Sequence, residues 1–169
     1  MKRWKKMLSL LMVLSMLVGM EMTVSAQENY EEAERCDDIE LPENKNNEGE
    51  YFKFDNSDKR IDQDGNFSFS YENTMTSDTF KPKDSSITIY ATATTNTVKN
   101  TYFIGVYRYS DDALMGSFIK YTADGGNWKH TWTGLDTNEK YYLYFSQDLG
   151  VGKVTGSGKI NLNYSRNSI

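Results

Sequence analysis

Hydrophobic and polar residues alternate one by one along much of the chain beyond residue 50. In the clearest run, Tyr141, Leu143 and Phe145 alternate with Tyr142 and Tyr144. Successive side chains of a β-strand point to opposite faces, so a period of two predicts a strand with one buried side. Similar runs, separated by short polar turns, predict strands over 51–54, 67–71, 86–94, 101–109, 114–122, 127–133, 141–146 and 159–164. No segment after the first 26 residues sustains a period of 3.6, which predicts an all-β domain.

A polar turn precedes that clearest run. Leu135 is followed six residues later by Tyr141, and residues 136–140 between them are polar or charged. These residues are too polar for a core, so they carry the chain around a corner at the end of a sheet. A tyrosine at the start of the next strand can bury its ring and hydrogen-bond its hydroxyl to the corner's backbone. The spacing therefore predicts a tyrosine corner.

The same spacing, a Leu and then Tyr-x-hydrophobic-x-hydrophobic, resembles fibronectin type III and immunoglobulin-like domains. The resemblance covers residues 86–164 and implies a single antiparallel β-sandwich. That family usually carries a buried Trp on its second strand, whereas 86–94 has none and Trp128 and Trp132 precede the corner instead. Two further strands, at 51–54 and 67–71, also exceed the family's simplest count. A jelly roll, and the sandwich found at the ends of secreted bacterial peptidases, therefore remain open alternatives.

Charge and hydropathy divide the chain into three parts. Residues 1–26 have a basic front, an apolar run and small residues before position 27, which predicts a secretory signal peptide and a secreted, extracellular protein. Residues 27–50 hold ten acidic and two basic residues with few large apolar ones, which predicts a disordered acidic spacer or pro-segment. Residues 51–169 carry equal numbers of acidic and basic residues and form the predicted β-sandwich domain. A neutral domain without a basic stripe argues against nucleic-acid binding, and no segment after the signal is apolar enough to span a membrane.

The chain has one cysteine and one histidine, and both limit the available chemistry. Cys36 falls in the predicted spacer, so it forms no internal disulfide and could bridge two chains. His130 alternates with Trp128 and Trp132, which places all three on the predicted core side of their strand. Catalysis by a His-dependent triad or by a thiol is therefore not expected, and the protein is predicted not to be an enzyme.

The outward positions of three strands predict a binding surface. Ile104 and Val106 look inward on one strand, as Tyr141, Leu143 and Phe145 do on another. If the last strand shares their sheet, as in type III domains, the outer face carries Phe103, Tyr107, Tyr109, Tyr142, Tyr144, Asn161 and Asn163. Exposed tyrosines suit a protein or cell-surface partner, and aromatic faces beside amides also suit a pyranose. Cross-strand aromatic packing without any ligand is the competing interpretation.

Three weaker functional interpretations remain. Asp62, Asp64 and Asn66 supply closely spaced oxygen ligands around a turn glycine, so they form a weak candidate calcium site. No other cofactor is predicted. Asp62, Asp64 and Asn66 do not belong to an EF-hand loop, because Arg60 occupies the first ligand position of that motif. A carboxylate-based hydrolase would need two acids in a cleft, and a secreted toxin or bacteriocin is compatible with size and export alone.

Overall fold

The computed structural model describes residues 30–43, 49–54 and 65–162 of the chain, and for Tyr51, Phe52, Phe54 and Leu162 it describes the backbone alone. These ranges contain twelve strands and no helix, hence no helix that could cross a membrane. The strands are β1 (Glu31–Glu32), β2 (Glu34–Arg35), β3 (Tyr51–Phe54), β4 (Gly65–Tyr71), β5 (Thr74–Thr76), β6 (Ser86–Thr95), β7 (Thr101–Arg108), β8 (Ala113–Leu114), β9 (Ile119–Thr122), β10 (Asp124–Thr133), β11 (Tyr141–Gln147) and β12 (Val154–Leu162).

The strands form two six-stranded sheets packed face to face. Sheet 1 has the order β1-β9-β7-β11-β5, with β8 also paired to β7, and sheet 2 has the order β2-β10-β6-β12-β4-β3. Strands pair from the two ends of the domain inward: β4 pairs with β12, β5 with β11, β6 with β10, and β7 with β9. This nesting of first strand with last is the order of a jelly roll. The predicted all-β sandwich is confirmed.

Alternation along the strands builds the core between the sheets. Tyr141, Leu143 and Phe145 are fully buried, whereas Tyr142 and Tyr144 on the other face are half-buried. The interior is rich in rings, and Phe69 packs on Phe145 with centroids 4.8 Å apart. The alternating burial along β11 confirms the predicted period of two. Because three large side chains are buried on one face, the register of this strand is also fixed.

The tyrosine corner has its predicted geometry. The backbone N–H of Asp136 donates to the hydroxyl oxygen of Tyr141 over 2.8 Å. Leu135 is buried, and its N–H donates to the carbonyl oxygen of Ser85 over 2.9 Å. The ring of Tyr141 thus serves the core while its hydroxyl satisfies a donor of the turn, and so the corner joins β10 of one sheet to β11 of the other.

The last strand corrects the sequence-based prediction. The prediction places it beside the strands now labelled β7 and β11, but β12 lies in sheet 2 between β6 and β4. Glycines explain this position. A Cβ on Gly156 would lie 2.6 Å from Phe69 Cζ, and one on Gly158 would collide with Phe67 Cζ and with the Tyr90 carbonyl. Both glycines therefore belong to the strand and make room for rings of β4.

Residues 30–43 of the acidic segment lie against the sandwich. Strand β1 pairs in parallel with β9 of sheet 1, and β2 pairs with β10 of sheet 2. Ala33 between them is buried in the core, and Cys36 is buried beyond β2. The segment thus bridges the two sheets where the chain passes from β9 to β10. Its identity as a spacer or pro-segment stays a prediction, and residues 1–29 and 44–48 lie outside the described ones.

Candidate functional site

Neighbouring strands of sheet 1 bring most of the predicted tyrosines together. Tyr107 on β7 lies directly opposite Tyr142 on β11, and Tyr144 lies opposite Gly105. The three tyrosine side chains are half-buried on the outer side of the sheet. Cross-strand neighbours on one face have Cβ atoms about 5 Å apart, so their rings are in contact.

These rings pack into one cluster. Tyr107 and Tyr142 are stacked, with centroids 5.5 Å apart and planes 14° apart. Tyr144 lies 5.7 Å from Tyr107 at 59°. We call Tyr107, Tyr142, Tyr144 and the adjoining Phe118 the aromatic face. Offset-stacked and inclined pairs suit the ring quadrupole, so the cluster holds its own shape without a ligand.

Phe118 belongs to the aromatic face although the alternation pattern did not single it out. It precedes β9, and its ring lies 6.0 Å from Tyr107 and 5.9 Å from Tyr144. Gly105 makes room for it, because a Cβ there would come within 2.9 Å of Phe118 Cε1. A glycine in the middle of a strand was the sequence signal for this close approach.

A turn between β7 and β8 supplies a polar rim to the aromatic face. The Tyr142 hydroxyl donates to Asp112 Oδ1 over 3.2 Å. Desolvation, followed by this bond to a carboxylate, raises the pKa of Tyr142. Arg108 donates to both carboxylate oxygens of Asp111, with Nη2 and Oδ2 2.6 Å apart. The Tyr142 hydroxyl is therefore a neutral donor at physiological pH, set beside a carboxylate and an ion pair.

The remaining predicted positions lie apart from the aromatic face. Phe103 meets Tyr30 of the acidic segment edge-on, with centroids 5.6 Å apart, so this segment covers it. Tyr109, just beyond β7, is 60% exposed. Asn161 lies on β12 and hence in sheet 2, and Asn163 lies outside the described residues. The assumption that β7, β11 and the last strand share one sheet was wrong, so Asn161 does not adjoin the tyrosines.

His130 and the tryptophans are placed as their alternation predicted. Trp132 is buried, Trp128 packs partly buried against the core, and His130 is half-buried with its ring 4.7 Å from that of Trp132. Burial lowers the pKa of His130, although the nearby carboxylate of Glu31, 3.9 Å from Nε2, opposes the shift. His130 thus lies where the acidic segment meets β10.

Cys36 is a buried residue of the acidic segment, next to β10. Its N–H donates to the Asn127 carbonyl over 2.9 Å, and its side chain is buried. Burial raises the pKa of the thiol. A bridge between two chains would therefore require this stretch to leave β10, and that bridge stays a prediction.

Carboxylates bear on whether the protein could act as a hydrolase or hold calcium. Asp111 and Asp124 both have lowered pKa values, Asp111 mainly through its bond from Arg108. Burial opposes ionisation of Asp124, but hydrogen bonds from Trp128 Nε1 and Gly126 N outweigh it. A general acid needs a raised pKa, so these two carboxyls do not suit that role. Within 30–43, 49–54 and 65–162, no group of three or more His, Cys, Asp or Glu could hold a metal, while Asp62 and Asp64 lie outside these ranges and Asn66 is an exposed residue of β4.

A cleft of about 710 Å³ opens where residues 39–43 cross the outer side of sheet 2. Its floor comes from β6, β10 and β12, and Glu40 and Glu43 line it from the acidic segment. Both glutamates are exposed.

Comparisons with known proteins leave the description at the level of the fold. The chain matches no protein-family model, no curated protein and no solved structure. What is established is therefore the two-sheet sandwich itself, with its tyrosine corner and its aromatic face.

Proposed function

We propose that the protein is a secreted, non-catalytic β-sandwich module that binds an extracellular protein or cell-surface partner through the aromatic face. The observation that carries this proposal is that Tyr107, Tyr142, Tyr144 and Phe118 form a packed cluster that is still only half-buried. A ring that serves stability alone gains by complete burial, as Tyr141 on the inner face does.

The chemistry of the aromatic face suits a protein partner. Tyrosine offers a large, stiff apolar surface with a hydroxyl at its tip, and it loses little conformational entropy on binding. The rings are held in advance by each other and by Asp112, so binding does not have to order them. The ion pair of Arg108 with Asp111 adds a charged rim beside the rings, as at ordinary protein interfaces.

A glycan is the second partner class, and one observation favours it. The Tyr142 hydroxyl and the Asp112 carboxylate lie within hydrogen-bonding distance beside the stacked pair of Tyr107 and Tyr142. Together they offer what a pyranose requires, a ring face for its C–H side and polar atoms for its hydroxyls. If the partner is a glycan, the binding site is smaller and centres on Tyr142 and Asp112 at the polar rim of the aromatic face.

Export and ancestry are also part of the proposal. Residues 1–26 support secretion through their charged front and apolar run. A relationship with fibronectin type III or immunoglobulin-like domains is supported by the corner at Tyr141 and by the pairs β6–β10 and β7–β11. The position of β12 favours a jelly roll instead.

A combined array of surface proteins and glycans, probed with the secreted chain, tests the function. We expect saturable retention on one class of spot and its loss in the variant carrying Tyr142→Ala and Tyr144→Ala. Reversal by soluble sugar would assign the glycan version, and indifference to sugar the protein version. Equal retention of the parent chain and the double variant would remove the aromatic face as the binding surface.

A further inference from the structure

The acidic segment pairs with an edge of the sandwich that would otherwise be open. Without β1 and β2, strands β9 and β10 would be the outermost strands of their sheets on that side. Three backbone N–H groups of the segment donate to carbonyl oxygens of this edge: Glu31 to Phe118 over 3.2 Å, Ala33 to Lys120 over 2.9 Å and Cys36 to Asn127 over 2.9 Å. We call residues 118–129 the acceptor edge. An open strand edge is a template for pairing with another chain.

The segment fits the acceptor edge through two small side chains. Ala33 is 6% exposed and belongs to the core, and Cys36 is 9% exposed. The residues of β1 and β2 on either side of Ala33 are exposed. The fit therefore requires small residues three positions apart, and a charged side chain at position 33 would have to enter the core at a large cost in desolvation.

Basic side chains of the acceptor edge match acidic residues of the segment. Lys120 Nζ lies 3.1 Å from Glu32 Oε1. On the other sheet, Lys129 is the cross-strand partner of Glu34. Opposite charges directly across a strand pair stabilise that pair, and like charges destabilise it. The acceptor edge therefore favours an acidic strand in one register.

The chain's own segment is held weakly at this edge. Its two strands have two residues each, and its two buried side chains are small, so the apolar area that they bury is small as well. Glu32 and Arg35, which form ion pairs with Lys120 and Asp124, keep 71% and 55% of their side chains exposed. Exposed ion pairs contribute little to stability. Local opening of such a segment costs much less free energy than unfolding of the sandwich, and it makes the acceptor edge accessible.

We propose that the acceptor edge binds residues 30–36 of a second copy of this chain, so that two copies exchange their acidic segments. The second copy is the fitting partner because its segment carries the same spacing of small residues and the same charges. Exchange replaces contacts within one chain by the same contacts between two chains, which makes it a low-cost route to a dimer. The proposal goes beyond the binding function of the aromatic face. The acceptor edge shares Phe118 with that face, through the carbonyl group rather than the ring.

Disulfide trapping between two differently mutated full chains tests the proposal. One chain, the donor, carries Glu34→Cys with Cys36→Ser, and the other, the acceptor, carries Lys129→Cys with Cys36→Ser. A disulfide across this strand pair can then form only between copies, and directly opposed residues have Cβ atoms about 5 Å apart, close enough for the bond. The register control replaces Lys129→Cys by Thr133→Cys, four residues further along β10. We expect trapping with Lys129→Cys to be at least about tenfold faster than with Thr133→Cys, which is out of reach in the paired register.

One further substitution should act in opposite directions in the two chains. Ala33→Glu places a carboxylate at a buried position. In the donor it should abolish trapping, because the donated segment no longer fits. In the acceptor it should raise the trapping rate at least about tenfold, because that chain's own segment no longer competes for the acceptor edge. Ala33→Ser, which nearly keeps the volume, should leave the rate unchanged in either chain.

Equal trapping rates with Lys129→Cys and Thr133→Cys would overturn the proposal, as would an effect of Ala33→Glu that has the same sign in the donor and in the acceptor. The register comparison does not use Ala33→Glu, so it still decides the question if that variant fails to fold. Failure of segment exchange leaves the array result for the aromatic face unaffected, so the two proposals fail separately.

Discussion

The two outer surfaces of the sandwich follow the same strand alternation but differ in chemistry. On sheet 2, hydroxyl groups pair with each other across strands, as Thr88 with Thr131 at 2.8 Å and Ser70 with Thr155 at 3.1 Å. On sheet 1, the corresponding positions carry the aromatic face. The hydroxyls of sheet 2 satisfy one another and need no ligand, whereas the rings of sheet 1 stay partly exposed to water. This difference is the reason why the proposed binding surface is placed on sheet 1.

The largest expected effect tests how the sheets accommodate their glycines. Gly158→Ala in sheet 2 brings a methyl group against Phe67 and the Tyr90 carbonyl, so we expect a loss of about 3 kcal/mol or more in the free energy of unfolding. The matched change in sheet 1, Gly105→Ala, meets only the ring of Phe118 and the end of Leu114, which can move, and should cost about 1 kcal/mol. Denaturant titration of both variants checks this. Equal costs would mean that β12 is not locked between β6 and β4.

Sequence reasoning predicted the inner faces better than the partners of the strands. Alternation along one strand predicted the buried side of Tyr141, Leu143 and Phe145. The spacing from Leu135 to Tyr141 predicted the corner. Both signals are local in the sequence. The position of β12 was not predicted, because pairing between distant strands leaves no local pattern in the sequence. The glycines Gly156 and Gly158 were the one signal, since they lie where aromatic rings of β4 pack against the strand.

The candidate site was predicted in part for the same reason. Alternation along β7 and β11 correctly placed Tyr107, Tyr142 and Tyr144 on the outer face. The prediction for Asn161 was wrong because it assumed that the last strand belongs to the same sheet. Phe118 was missed because it lies outside regular alternation and reaches the face only through tertiary packing. The bridging role of residues 30–43 was not predicted, because the segment is mostly acidic and only two small side chains in it, Ala33 and Cys36, are buried.

A second prediction separates the rings that hold the fold from the rings that face water. Tyr102 is fully buried between the sheets and its hydroxyl has no hydrogen-bond partner among the residues that the structure describes, so Tyr102→Phe should stabilise the protein by about 1 kcal/mol. Chemical denaturation at neutral pH measures this. A destabilised Tyr102→Phe variant would show that the hydroxyl makes a bond that matters.

Alkaline titration gives the third prediction. Burial raises the pKa of Tyr71, Tyr102 and Tyr121 above the ordinary value of about 10, so their stabilising effect is complete below that value and is lost as pH rises through the folded-state pKa values. We expect the free energy of unfolding to fall steadily above about pH 10, and to fall less steeply in Tyr102→Phe. An identical slope in the two proteins would contradict this assignment.

A fourth prediction concerns the hydroxyl surface of sheet 2. Thr88→Val leaves Thr131 without its partner and should cost about 1 kcal/mol. The double change with Thr131→Val should recover most of that loss, because neither hydroxyl then lacks a partner. Thermal unfolding of the single and double variants checks it, and additive losses would show that the pair is not coupled.

The smallest effect on stability is expected within the aromatic face. A double-mutant cycle on Tyr107→Ala and Tyr142→Ala should give a coupling of about 0.5 to 1 kcal/mol in unfolding free energy, the ordinary value for stacked rings. A coupling near zero would mean that the stack does not hold the face in shape before a partner arrives.

The central claim, that sheet 1 recognises and sheet 2 does not, is tested most directly by one matched pair of variants. Tyr142→Ala removes a half-buried ring from the outer side of sheet 1, and Tyr90→Ala removes a half-buried ring from β6 on the outer side of sheet 2. Affinity for the partner retained on the array is measured for both by titration. We predict at least about a tenfold loss for Tyr142→Ala and no change for Tyr90→Ala, and the opposite pattern, or equal losses, would contradict the account.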